Sequence, residues 1–156
     1  MIQICDGQAL INVYKLLERT CNAIDDYVIS YAENFGPDPS MDSTESITNK
    51  MIELIARKNK LINLKIFIEN CVEKMPDKFR KILVLKLNYR CKTNVMMQIL
   101  NLPERTYFRR INQALEIFVD IVNNNRSKFD IDSIFSSEEW IANISEKFRE
   151  KQVIAS

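Results

Sequence analysis

Only two of the 156 residues, Gly7 and Gly36, are glycine. Hairpin turns and phosphate-cradling loops rely on glycine for tight turns and close backbone approach. A chain this poor in it is expected to be all-α, a helical bundle. The sequence is 46% hydrophobic and 28% charged, too apolar for wholesale disorder and long enough for one sizeable core with an appended helical arm. No apolar stretch nears the roughly 18 uncharged residues of a membrane span. Residues 1–10 lack the basic start of a secretory signal. The expected location is the cytoplasm, with no membrane partner.

Apolar spacing places the helices. Leu10, Val13, Tyr14, Leu17, Cys21, Ile24, Val28 and Tyr31 advance in steps of three and four, marking a long amphipathic helix over about residues 9–34. The run Phe35-Gly36-Pro37-Asp38-Pro39 breaks it, and residues 37–46 read as a polar, acidic loop. A second helix is expected from residues 43–47 toward Pro76, with Met51, Ile52, Ile55, Leu61, Ile62, Ile66, Phe67, Cys71 and Met75 as its apolar pattern. Arg57-Lys58-Asn59-Lys60 is polar enough to break that helix or to form an exposed turn. Pro76 suits the start of a third helix, residues 77–89, burying Phe79, Ile82, Leu83, Leu87 and either Leu85 or the stem of Lys86. Near the end, Ser136-Ser137-Glu138-Glu139 fits a capping box opening a last helix, with Trp140, Ile141, Ile144 and Phe148 as its buried stripe.

Histidine is absent. That removes the commonest general base, the nucleophile pairs built on it and every metal site containing it. The cysteines Cys5, Cys21, Cys71 and Cys91 are too far apart for a CxxC-type pair and read as small apolar side chains. No acidic pair stands out for acid–base work, so the chain is not expected to be an enzyme, nor to hold a metal or cofactor.

The formal charge of +1 conceals a strong asymmetry. Residues 1–48, an acidic helical arm and linker, carry −6; residues 49–115 carry +10; residues 116–156 carry −3. A basic middle between acidic ends points to a polyanionic partner. The implied domains are the arm at 1–48, a basic helical domain at 49–122 and a C-terminal amphipathic helix at 123–156.

Within the basic segment, Thr93 is a suitable N-cap for a short helix over about residues 94–100. Asn101-Leu102-Pro103 follows: an asparagine able to turn left-handed, an apolar plug and a proline suited to a helix start. A long helix then runs from Pro103 to about Val122, with Tyr107, Ile111, Ala114, Leu115, Phe118 and Val122 facing inward. Its other face opens with Glu104, Arg105, Phe108, Arg109 and Asn112. A short helix, a tight turn and a longer helix with arginines at its start make a helix-turn-helix, which sets the second helix in the major groove of DNA.

Met75 through Phe118 resembles region four of bacterial sigma factors, the module that reads the upstream promoter element. That family opens with a Leu-Pro-like pair, an arginine four residues beyond the proline and an apolar helix, matched by Met75-Pro76, Arg80 and the residues from Ile82 to Leu87. Its recognition helix opens with a Thr-Val-like pair, a core aliphatic four residues on and a small residue three beyond, matched by Thr106-Tyr107, Ile111 and Ala114. With long helices ahead of it, the chain is most similar to ArpU/RinA-like phage regulators of late transcription; about 45 residues carry the match. It departs at Met97, where the family has a small residue and a bulky one is expected to push the helices apart, and at Asn101, where it has glycine.

The reading that follows is a sequence-specific transcription regulator with residues 76–122 as its DNA-binding core. Lys78, Lys81, Lys92 and Arg110 are expected on phosphates, Arg105, Phe108, Arg109 and Asn112 at base edges, and Thr93, Glu104 and Thr106 beside them. Double-stranded DNA is the expected partner, read by a homodimer on two half-sites, and RNA polymerase is a second partner. Two alternatives stand: a sigma-like module that binds polymerase or another regulator and hardly touches DNA, and a structural assembly bundle held by the Trp140 stripe. The arginines then merely solvate a helix face. The acidic first helix either mimics DNA toward a partner or completes a bundle.

Overall fold

The computed structural model describes residues 1–33, 44–88 and 91–155, which hold seven α-helices, one short 3-10 turn and no strand. The helices are α1 (Ile4–Glu33), α2 (Thr44–Glu73), α3 (Asp77–Asn88), α4 (Thr93–Leu100), α5 (Glu104–Asn124), α6 (Ile131–Ser137) and α7 (Glu139–Ala155), with the 3-10 turn Arg126–Lys128 between α5 and α6. The expected break at residues 35–39 and the end of the third helix at Tyr89 lie outside the described residues.

Contacts divide the chain into two compact units, Leu16–Lys65 and Met1–Lys15 with Ile66–Ser156. The boundaries of these units do not fall at residues 48 and 122, where the sequence places the domain boundaries. Charge is carried by exposed side chains, whereas packing follows the buried ones. Ile2, Cys5, Ala9, Leu10, Ile11 and Val13 are all buried, so the start of the acidic segment belongs to the core of the larger unit.

In the larger unit α5 is the central element. Tyr107, Ile111, Ala114, Leu115, Phe118, Val119 and Val122 are buried, the expected stripe with Val119 added. α3 packs on it through a core that includes Ile82 and Leu83. Phe79, Leu85 and Lys86 are only half-buried. Burial, and secondarily the like charge of Lys15, hold the Lys86 ammonium below its usual pKa. The chain start is clamped to the end of α5: Ile2 N–H donates to Asn123 Oδ1 at 3.0 Å, and Asn123 Nδ2 donates to the Ile2 carbonyl at 3.1 Å. Phe67 stacks on Phe129 with ring centroids 5.1 Å apart.

The C-terminal segment differs from the sequence expectation. Two helices occupy it, and the capping box does not form. The Ser136 and Ser137 hydroxyls donate back to the Ser133 carbonyl, closing α6 rather than opening α7. The effective cap is Asp130, whose side chain accepts from Ser133 N–H at 3.1 Å. Glu138 is buried between the helices and accepts from Trp140 Nε1 at 2.8 Å. Ile141 is buried, but Trp140, Ile144 and Phe148 are half-buried, and Ser145 takes an inward position by donating to Asp6.

The smaller unit pairs parts of α1 and α2. Leu17, Ile24, Ile47, Leu61 and Leu64 are buried, and Lys58 Nζ bonds Asp25 Oδ1 at 2.6 Å. α2 runs unbroken through residues 57–60, since arginine and lysine are good helix formers, and Lys58 is held by that carboxylate. Of its expected apolar pattern, Ile52, Ile55, Ile62 and Ile66 are exposed. No helix among the described residues is long and apolar enough to cross a membrane.

Gly7 explains one of the two glycines. A Cβ added there would lie 2.5 Å from Val119 Cγ2, so α1 and α5 meet at a distance only glycine permits. Alanine would gain about 1 kcal/mol in helix propensity, but overpacking a filled core costs about 1–3 kcal/mol. Val119 is buried and β-branched, with little freedom to swing aside. Gly7→Ala is expected to lower stability in urea denaturation by about 1 kcal/mol, and to be less harmful in a Val119→Ala background; equal costs in both backgrounds would contradict the contact.

Candidate nucleic-acid interface

The short helix α4 ends in a left-handed turn made by the backbone of Asn101, φ 51° and ψ 49°, the one positive-φ non-glycine residue among those described. Asn101 N–H donates to the Gln98 carbonyl at 3.2 Å, and Leu102 N–H to the Met97 carbonyl at 3.0 Å. This paired arrangement satisfies two of the carbonyls a helix end leaves open. Leu102, the expected plug, is half-buried. Pro103 is the N-cap of α5 rather than its first residue, and its carbonyl accepts from Tyr107 N–H at 2.9 Å.

Tyr107 locks the two helices together. Its hydroxyl lies 3.5 Å from Met96 Sδ, and it also hydrogen-bonds the Thr93 side chain. Burial raises the Tyr107 pKa, and the Thr93 bond opposes that. This corrects the expected role of Thr93. It is the first residue of α4, the N-cap is Lys92 without a side-chain bond, and the Thr93 hydroxyl is engaged by Tyr107 instead. Met96, not Met97, is the buried methionine of α4. Met97 stands half-buried, so its bulk does not sit at the Tyr107 contact.

The candidate side chains stand on the outside of this scaffold. Lys78, Lys81, Lys92, Thr93, Glu104, Arg105, Phe108, Arg109 and Asn112 are exposed, and Thr106 and Arg110 half-exposed. At 100° per residue, Arg105, Arg109 and Asn112 fall within one sector of α5 opposite its buried stripe. Glu116 and Asp120 continue that outer side, so it turns from basic to acidic along the helix. Phe108 is 46% exposed and sits on the flank, its ring edge against Tyr107 at 5.3 Å between centroids.

Ion pairing separates these cations from others in the chain. Lys58 pairs with Asp25, Arg80 with Asp77, Arg126 with Asp132, and Arg149 with Glu146 and Asp6. Lys78 lies over the Phe79 ring at 5.4 Å. Among the described residues no carboxylate pairs with Lys81, Lys92, Arg105, Arg109 or Arg110.

Sequence reasoning missed the exposed apolar pair Val95 and Ile99 on α4. Their spacing of four, out of phase with Met96, carried that signal. Among the described residues no cluster of Cys, Asp and Glu is arranged to hold a metal. The cysteines are free, Cys5 and Cys71 buried, Cys21 and Cys91 half-buried. Burial pushes the Cys71 thiol up to about 11, against the pull of Lys74 and Lys128, so it is no nucleophile near neutrality.

Two outcomes follow. Asn101→Val places a β-branched residue in left-handed backbone and is expected to cost about 1–2 kcal/mol in thermal or urea unfolding, while Asn101→Gly costs nothing or stabilises. The folded chain keeps the Cys71 proton between about pH 9 and 11, where the unfolded chain loses it, so Cys71 contributes stability below pH 9 that is lost as pH rises toward 11. Peptide mapping after iodoacetamide treatment at pH 8 should find Cys71 unmodified in the folded protein and modified in urea.

No protein-family model matches the chain, and no curated protein or solved structure shows significant similarity to it.

Proposed function

We propose that residues 76–122 form a helix-turn-helix of the sigma region-four type that binds double-stranded DNA, and that the chain is a transcription regulator of the ArpU/RinA-like kind. The observation that carries this reading is the set of cations on the outer faces of α3 to α5 that pair with no carboxylate among the described residues, whereas acidic groups neutralise basic side chains elsewhere. Water solvates these five cations singly, but clustered on one side they build a positive potential, and phosphate is the polyanion that such a potential attracts.

The roles divide by position. Lys78, Lys81, Lys92 and Arg110 hold phosphates and fix register. Arg105, Arg109 and Asn112, on the first turns of α5, meet base edges, where arginine reads guanine and asparagine reads adenine. Phe108 on the flank meets a thymine methyl. Glu104 and Thr106 bound the contact, and Glu116 and Asp120 mark where the helix leaves the groove. Thr93, the first residue of α4, lies beside the Tyr107 hydroxyl. Its role in this reading is at a phosphate.

A second reading is favoured by the exposed Val95 and Ile99, an apolar pair that suits a protein partner such as RNA polymerase. Fluorescence anisotropy of a labelled duplex separates the two. For about six phosphates the logarithmic salt slope is expected near −5. Arg105→Glu with Arg109→Glu is expected to weaken binding by more than about 100-fold, at about 1–3 kcal/mol for each base contact. Absence of binding at low salt, with Val95→Asp and Ile99→Asp disrupting a polymerase complex, would establish the protein-binding reading instead.

A further inference from the structure

α2 carries two apolar faces. One holds Leu61 and Leu64, both fully buried, and the Lys58–Asp25 bond fixes it against α1. The other is Ile52, Ile55 and Ile62, exposed by 58%, 46% and 36%, with exposed Asn59 between them. Their steps are three, four and three, and the next step of four leads to Ile66. That is the alternating spacing of a coiled-coil seam, with isoleucines at both core positions and an asparagine at a central one. Glu53, Arg57 and Lys60 lie on the side of Leu61 and Leu64, so the isoleucine strip carries no charged residue of its own. Solvation does not account for an exposed strip of isoleucine.

We propose that this face is a homodimer interface, a short parallel coiled coil in which α2 packs on α2 of a second copy. Three observations select a second copy over another partner. The seam is self-complementary: in parallel register each isoleucine meets itself and Asn59 meets Asn59, so the one polar group in the strip finds a hydrogen-bonding partner. In antiparallel order Asn59 would face an isoleucine. Charge agrees, since Lys58 and Lys65 flank one edge of the seam and Ala56 and Asn63 the other. Parallel packing sets the lysine edge against the neutral edge, while antiparallel packing sets lysines against lysines. Area also agrees: the isoleucines and flanking stems present on the order of 400 Å2 per copy, the size of patch that marks an interaction site. Doubled across a two-fold axis, this reaches about 800 Å2, the size of a weak, reversible contact, which suits a dimer that forms only at micromolar concentration. Asn59 costs affinity but fixes register and the two-stranded state. The dimer stands independently of DNA binding.

The test is sedimentation equilibrium of the full chain without DNA. Wild type is expected to dimerise reversibly at tens of micromolar, and Ile55→Lys with Ile62→Lys to raise the dimer dissociation constant by at least about 100-fold, since each change is felt in both copies. Circular dichroism checks that helicity is kept. Asn59→Ile is expected to tighten association and to allow trimers or tetramers. Mild oxidation of Asn59→Cys should give a 59–59 disulfide, located by peptide mapping with wild type as control. A wild type still monomeric at about 200 μM would overturn the proposal and leave the face to a different protein. A dimer untouched by the lysine substitutions, or one giving no 59–59 disulfide, would overturn it equally.

Discussion

Everything in the larger unit depends on α5 meeting two demands along one helix. Its inner stripe, from Tyr107 to Val122, is buried and forms the middle of the core. Each of its large side chains contributes about 1.5–3 kcal/mol by leaving water. The same burial fixes the rotation of the helix, and rotation decides which residues remain outside. With Ile111, Ala114 and Phe118 turned inward, Arg105, Arg109 and Asn112 have no alternative but to point out. The proposed interface is in this sense a by-product of core packing, and Gly7 lets α1 approach the far end of the stripe.

Local bonds then hold the front of α5 in place. Tyr107 joins Thr93 and Met96 of α4, while the left-handed Asn101 lets the chain reverse in three residues. The turn at Asn101 is short-range in sequence, which makes it legible there. The turn chemistry of Asn101-Leu102-Pro103 and the step pattern from Tyr107 to Val122 needed only residue types and spacing. The chain was legible as all-α for the same reason: so few glycines leave little else to build from.

What was not legible depended on long-range packing. The periodicity of α2 contains two apolar faces, and a sequence pattern does not say which of them has a partner. Only the Asp25–Lys58 bond and the burial of Leu61 and Leu64 show that Ile52, Ile55 and Ile62 are the outer set. The capping box at Ser136 failed because two serines followed by glutamates read equally well as the end of α6. The decisive residue was Asp130, six positions earlier. Thr93 had the right chemistry for a cap, but its hydroxyl found Tyr107, fourteen residues on. At Ser136 two local patterns competed and the one that closes α6 won, whereas at Thr93 a cap gave way to a contact across the turn.

The outer sector of α5, with its neighbours on α3 and α4, is where we propose that DNA binds. Amide chemical-shift mapping by NMR during titration with a short duplex tests it most directly. The account predicts shifts concentrated at Lys92, Thr93 and residues 104–112, with Lys78 and Lys81 at the margin, and α6 and α7 unchanged. Shifts centred on α7, or spread evenly over the surface without a maximum on α5, would contradict it.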